Sequence, residues 1–194
     1  MFNFNALLAR LKYIPRWSLM RQNTKEDLAQ HTADVALTAH TLCLLANNKF
    51  GKNVNCEKVA VAALYHDVSE ILTGDMPTPV KYSNTQINTA YKAIESHAVN
   101  QLLETSDPSI KESLRPYMTQ ENLTEYEWRL LKAADKICAL TKCMEEMQSG
   151  NKEFESAYKS TYLSLVCMEM DEVAYFMENM LGSFNLCLDE LAKI

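Results

Sequence analysis

Tyr65-His66-Asp67-Val68-Ser69-Glu70 is the stretch whose reading decides the fold. The residues before it, Val59-Ala60-Val61-Ala62-Ala63-Leu64, are apolar and free of helix breakers. They predict a helix that begins at an Asn55 cap and runs to about Leu72. Residues three and four apart share a helix face, so Glu70 is expected to lie over both His66 and Asp67. An imidazole and a carboxylate buried side by side are costly without a counter-ion. A divalent cation removes that cost. A core histidine beside a salt-bridged aspartate is the simpler reading of the dipeptide alone, and the rest of the chain shifts the balance.

The chain has 194 residues, 47% of them hydrophobic, which is enough for one packed domain spanning 1–194. Only four glycines and five prolines interrupt it. That composition favours long helices over a turn-rich β protein and predicts an all-α bundle. A net charge of −6 argues against a broad basic face for a nucleic-acid polymer. A small anion held by one or two local cations remains compatible with it. The six cysteines include no C-x-x-C pair and mostly fall in apolar runs, as small buried hydrophobes do in a reducing compartment. The N-terminus lacks a signal-peptide pattern, and no run reaches the roughly 18 apolar residues of a membrane span. A soluble, cytoplasmic protein with no membrane partner is expected.

Outward from the central stretch, apolar positions Phe4, Leu7, Leu8 and Leu11 predict a first helix over 3–12, stopped by Pro15. Arg16-Trp17 follows in a loop. A guanidinium fork matches phosphate oxygens and an adjoining indole suits a sugar or base, although for this hexapeptide alone a solvated arginine beside a core tryptophan is the better reading. The next helix is expected from Glu26 to about Asn47, with Thr24 as its cap. His31 and His40 on it are nine residues apart, half a turn out of phase, so only one faces a given site. Small neighbours Ala29, Thr32 and Ala33 favour His31. Thr73-Gly74-Asp75-Met76-Pro77-Thr78-Pro79 reads as a fixed loop leaving the central helix. A helix over 84–104 carries an exposed His97, and 106–115 reads as a loop-rich connection. Thr124 and Glu127 open another helix as a capping box. Asp135 in its middle needs a partner, either a neighbouring lysine or a metal. One long Met- and Tyr-rich helix is expected from Glu155 to about Met180, then a short one over 184–191.

His31, His66, Asp67 and Asp135 thus recur in order on an all-helical chain. Two imidazoles and two carboxylates suit a divalent transition ion such as Mn²⁺, Co²⁺, Fe²⁺ or Zn²⁺. That ordered quartet resembles the HD-domain superfamily of metal-dependent phosphohydrolases. Arg16-Trp17, Glu26-Asp27-Leu28-Ala29-Gln30-His31-Thr32, the central stretch, Thr73 to Tyr82, Lys132 to Asp135 and the late Phe184 to Glu190 segment carry the likeness further. Across nearly the whole chain they resemble the bacterial 5′-deoxynucleotidase family.

The resemblance implies a homodimeric, metal-dependent enzyme that hydrolyses deoxyribonucleoside 5′-monophosphates and discriminates against ribonucleotides. It implies one divalent cation, Co²⁺ or Mn²⁺ among the candidates, held by His31, His66, Asp67 and Asp135. It further implies that Arg16 orients the phosphate, that Trp17 packs on the sugar, and that Asp75, Met76, Pro77 and Thr78 contact the nucleoside. His31 and Asp135 would also meet the substrate. Glu70 would act as acid/base, with Asp67 or Glu70 steering the attacking water. Hydrolysis of triphosphates, cyclic dinucleotides or alarmones by the same fold is the alternative, as is a non-catalytic nucleotide sensor. A second metal would need further histidines in register, and His40 and His97 are out of phase. A triphosphatase would need more cations than Arg16, Arg21 and Lys81, and a sensor would have no use for a proton shuttle such as Glu70.

Overall fold

The computed structural model describes residues 1–81 and 83–192, apart from the side chain of Thr78. Its regular structure is helical throughout, with no named strand among the described residues. In chain order the helices are α1 (Phe4–Leu8), α2 (Leu28–Asn48), α3 (Cys56–Leu64), α4 (Glu70–Thr73), α5 (Thr78–Lys81), α6 (Thr85–Glu104), α7 (Pro108–Thr119), α8 (Glu125–Gln148), α9 (Glu155–Val166), α10 (Asp171–Asn179) and α11 (Leu188–Leu191). Short 3₁₀ turns at Leu11–Tyr13, Lys152–Phe154 and Leu181–Asn185 join some of them.

Helices α2, α3, α8 and α10 supply the larger core, in which Val35, Leu42, Val59, Leu131, Ile137, Leu140 and Phe176 are buried. A second core joins Phe4 of α1, Leu102 and Leu103 of α6 and Met118 of α7 to Val68. The central stretch bridges the two. Ala62 and Ala63 pack in the first core and Val68 in the second, so the turn carrying His66 and Asp67 is held from both ends.

That turn corrects the expected helix through Leu72. Helix α3 stops at Leu64, although no glycine or proline ends it. His66 Nδ1 lies 2.7 Å from the Ala63 carbonyl oxygen, which in a continuing helix would accept from Asp67. The backbone then winds on tighter bonds three residues apart: Val68 N to Tyr65 O, Glu70 N to Asp67 O and Ile71 N to Val68 O. His66 and Asp67 therefore sit in a turn, and Glu70 opens the separate short helix α4.

Other boundaries differ from expectation as well, among them α5 (Thr78–Lys81) in the segment read as a loop and a 3₁₀ turn over Leu181–Asn185 ahead of α11 in place of one helix over 184–191. The N-terminal helix breaks into α1 and a 3₁₀ turn. Helix α2 is capped by Asp27, not Thr24; Asp27 accepts from Gln30 N and the Gln30 side chain returns the bond, a full capping box. Glu26 is thereby left in the loop. The 106–115 connection is helical, because Pro108 occupies the first helical position after an Asp107 cap, where its fixed φ starts a helix instead of breaking one. The long C-terminal helix is two, α9 and α10, separated by Cys167–Met170, with Glu169 at a φ of 51° and Arg129 bonded to the Met168 carbonyl.

The 16–27 loop is strapped down at both ends. Pro15 bridges Asp27, and Leu28 N bonds to Ile14 O. In between, Glu146 of α8, fully buried, accepts from Asn23 N (2.8 Å), Thr24 N (3.0 Å) and Lys142 Nζ (2.8 Å). Burial opposes its charge, but Lys142 and these donors bring the Glu146 carboxyl down to about 2. Removing one member of a pair this deep costs roughly 3–5 kcal/mol, so the loop that carries Arg16 and Trp17 is a rigid part of the fold.

Candidate active site

Three donor groups lie within 4.8 Å of one another: His31 from α2, and His66 and Asp67 from the turn after α3. Asp135 joins them from the middle of α8, its Oδ1 3.1 Å from His31 Nε2. Asp67 Oδ2 is 3.0 Å from His66 Nε2 and 3.7 Å from His31 Nε2. The mid-helix aspartate thus finds its partner in histidine, and α8 places it there because its Ala133-Ala134 face packs directly into the core. Both imidazoles are fully buried, and their ring centroids are 5.3 Å apart.

Burial works against the charged forms of all these groups, and their neighbours reverse it. Asp67 and Asp135 hold the His66 ring above its usual value, while the two histidines keep the Asp67 carboxyl well below the ordinary carboxylate range. Asp135 is likewise lowered, chiefly by its bond to His31.

The donor set fits a divalent cation on one observation above the rest. His66 Nδ1 is committed to the Ala63 carbonyl, which fixes the ring proton there and leaves Nε2 with a lone pair. That Nε2 is buried and, although 3.0 Å from Asp67 Oδ2, is not aligned with it for a hydrogen bond. An unbonded imidazole nitrogen beside two carboxylates is the arrangement a cation satisfies. His31 differs in one respect. Its Nδ1 lies 2.7 Å from Arg16 Nη1, and a guanidinium only donates, so Nε2 carries the ring proton toward Asp135. A cation held through His31 Nε2 would require the ring proton on Nδ1, the atom now facing Arg16; the bond between Arg16 and Glu26 would need no such change.

Around the cluster stand the other sequence-predicted residues. Arg16 is mostly buried, its Nη1 2.7 Å from Glu26 Oε2. Trp17 donates from Nε1 to the same oxygen at 2.9 Å and rests its ring on Phe154, 5.2 Å between centroids. Its φ of 58° is left-handed, a conformation costing on the order of 1–3 kcal/mol in a residue with a side chain. Asp75 faces the Trp17 backbone N–H, and burial raises its carboxyl against the pull of Arg16. Glu70 is buried, with Oε2 unpartnered. Desolvation, with Asp67 and Asp75 nearby, pushes its carboxyl up to about 9. Met76 and Pro77 are half-buried, and the Thr78 side chain lies outside the described residues. His40 is half-buried and His97 exposed, neither in the cluster.

A cavity of about 730 Å³ opens beside this cluster. Arg16, Trp17, Asp75, Pro77 and Asp135 line part of it, and α9 lines another part through Ser156, Ala157, Ser160 and Thr161. Sequence reasoning missed the α9 part. Its signal was available, since those four small residues fall on one face of a helix. Glu26 was missed as well, hidden inside a helix drawn one cap too early.

Comparison with known proteins gives a consistent picture. The family model described as 5′-deoxynucleotidase YfbR-like matches residues 3–184. A 5′-deoxynucleotidase of Vibrio vulnificus is 45% identical over 190 residues, covering 98% of each chain. Among solved structures, an HD-domain phosphohydrolase from Listeria innocua superposes with a TM-score of 0.82 at 24% identity, over 94% of this chain and 88% of that one. The HD phosphohydrolase of cyanophage S-2L, solved with dA and one catalytic Zn²⁺ ion, gives a TM-score of 0.65 at 18% identity, over 92% and 96%.

Proposed function

The chain belongs to the YfbR-like 5′-deoxynucleotidase family, and from that premise we propose how its residues divide the work of hydrolysing a deoxyribonucleoside 5′-monophosphate. The enzyme is a phosphoric monoester hydrolase: water attacks phosphorus, the bond to the 5′ oxygen breaks, and deoxynucleoside and phosphate leave.

The observation that carries the assignment is that Arg16, held by Glu26 at 2.7 Å, and Asp135 of the donor cluster line the same cavity. It sets a phosphate-binding cation beside the metal donors. In this reading His31, His66, Asp67 and Asp135 hold one divalent cation, Mn²⁺ or Co²⁺ in the proposal. When bound, that cation supplies charge neutralisation for the phosphoryl oxygens and a lowered pKa for water. Arg16 orients the phosphate through its remaining guanidinium N–H groups. Asp67 accepts a hydrogen bond from the attacking water and aims it. Glu70, protonated at neutral pH by its burial, gives its proton to the departing 5′ oxygen. Trp17, held rigid in a strained conformation, lies against the sugar and leaves a 2′ hydroxyl no room, while Asp75, Met76, Pro77 and Thr78 border the nucleoside. The single Zn²⁺ and the dA of the cyanophage protein are in keeping with one cation and a deoxynucleoside.

Three contacts weigh against a triphosphate substrate. Arg21 is paired with Glu153 at 3.0 Å and Lys81 with Glu95 at 2.8 Å, so both already face a carboxylate, and Lys136 on the cavity lining donates to the Ser164 hydroxyl. Phosphate release is therefore expected from dAMP in the presence of Mn²⁺ or Co²⁺, at least tenfold slower from AMP, absent from dATP, and abolished by EDTA. Turnover of dATP, or none of dAMP under any metal, would sink this reading.

We also propose a cytoplasmic homodimer. No helix among the described residues is long and apolar enough to cross a membrane, the six cysteines are free, and α9 exposes Leu163 and Val166. Sedimentation at twice the 22.1 kDa chain mass checks the assembly, and cell fractionation checks the location.

A further inference from the structure

One carboxylate oxygen outside the metal quartet holds two of the residues placed at the substrate. Glu26 Oε2 accepts from Arg16 Nη1 at 2.7 Å and from Trp17 Nε1 at 2.9 Å. We propose that Glu26 is a positioning residue that sets the phosphate-binding guanidinium and the sugar-facing indole as a single unit. The inference rests on the roles given above to Arg16 and Trp17.

The main chain repeats what the side chain does. Arg16 N donates to Glu26 O at 3.0 Å, Glu26 N donates to Gln22 Oε1 at 3.3 Å, and Gln22 Nε2 donates to Arg16 O at 2.7 Å. These bonds close a ring from Arg16 through Gln22 to Glu26 and back. Within it the Glu26 carboxylate is only 12% exposed and faces a guanidinium 13% exposed. A bond between ionised partners this well shielded is short and strong, and it satisfies a buried cation that would otherwise be costly. An indole has one donor. Once that donor is spent on Glu26, the ring cannot rotate about χ2 without losing the bond, and Phe154 packs against it. The guanidinium and the indole therefore cannot move independently: a shift of the carboxylate displaces both.

The consequence is that phosphate affinity and sugar choice are coupled through a residue that touches neither phosphate nor sugar. Glu26→Gln separates this from a general structural role. The amide keeps one acceptor but loses the charge, and its own NH₂ group now faces N–H donors. Inorganic phosphate binding to the Mn²⁺-loaded protein, read by calorimetry, is expected to weaken about tenfold. The ratio of kcat/KM for dAMP over AMP is expected to fall about tenfold as well, the usual scale for loss of a supporting partner. Bound Mn²⁺ per chain stays unchanged. A defect in folding alone would lower the active fraction, hence kcat, and move neither quantity. Arg16→Ala and Trp17→Ala are measured beside it. If those two shift phosphate affinity and sugar ratio respectively while Glu26→Gln leaves either one within twofold of the parent, the coupling is overturned. If Arg16→Ala and Trp17→Ala themselves change nothing, the reading of those residues falls, and this inference with it. Should Glu26→Gln not fold, Glu26→Asp keeps the charge and withdraws it by one methylene; the same paired shift is expected, and an unshifted pair overturns the proposal.

Discussion

Asp67→Ala is expected to abolish metal binding and, with it, at least a thousandfold of the dAMP-hydrolysing activity. Among the described residues, Asp67 is the one carboxylate within 4 Å of both histidines, at 3.0 and 3.7 Å. Its removal leaves two buried imidazoles and Asp135, one anionic ligand short of the proposed set. Charge stabilisation by a metal is worth several kcal/mol in the transition state, on the order of a thousandfold in rate. The readout independent of activity is thermal stability. A cation that binds only the folded protein stabilises it by about 2.7 kcal/mol at a hundred times its Kd, so Mn²⁺ should raise the Tm of the parent and not that of Asp67→Ala. The parent's Mn²⁺ affinity should also fall with pH, because protons compete for the His66 lone pair and His66 is protonated more readily than an ordinary histidine. The sign follows directly: lower pH, more imidazolium, weaker metal. An Asp67→Ala protein that still gains Tm from Mn²⁺ would remove Asp67 from the ligand set.

How far the sequence carried this picture depends on which forces leave a periodic trace. Helices α2, α6 and α8 were legible because each buries one face, and their apolar residues repeat at helical spacing. The caps at Asn55 and Thr124 were legible because short polar side chains placed before such runs do one thing well. The end of α3 was not. It is produced by a bond from the His66 ring to the Ala63 carbonyl, and a side chain that diverts a main-chain acceptor leaves no mark on hydrophobic spacing. The break between α9 and α10 contains no glycine or proline; the chain turns at Glu169, and the bond from Arg129 of α8 to the Met168 carbonyl fastens the turn. For the site, residue types and order pointed to His31, His66, Asp67 and Asp135, which the fold does bring together. Glu26 lay beyond reach for a different reason. Its partner Arg16 is ten residues away in a loop, and no spacing rule connects two loop residues that a capping box and a buried Glu146 have pinned face to face.

Glu70→Gln is expected to lower kcat for dAMP by about 10²–10⁴-fold, the range for loss of a general acid, while leaving Mn²⁺ content and KM near those of the parent. The substitution is close to isosteric, so the packing around this buried side chain survives and the proton is what is lost. The carboxyl's position explains why it can serve. Burial, then Asp67 and Asp75, push it up to about 9, with Lys81 and Arg16 pulling weakly the other way. At pH 7 it is therefore protonated, buried with its Oε2 unpartnered. A cation held by the neighbouring donors offsets the charge of Asp67 and draws that value down toward neutrality. The parent's kcat should accordingly fall on the alkaline side, as pH rises through the Glu70 pKa and the acid form is spent, with the midpoint below 9. Glu70→Gln has no proton to lose and should show no such limb. A leaving group that needs no protonation supplies the second arm: p-nitrophenyl phosphate departs as a stabilised phenolate, so Glu70→Gln should handle it far better, relative to the parent, than it handles dAMP. Equal losses on both substrates would mean that Glu70 acts on the incoming water and not on the departing oxygen, whereas full dAMP activity in Glu70→Gln would remove it from the chemistry altogether.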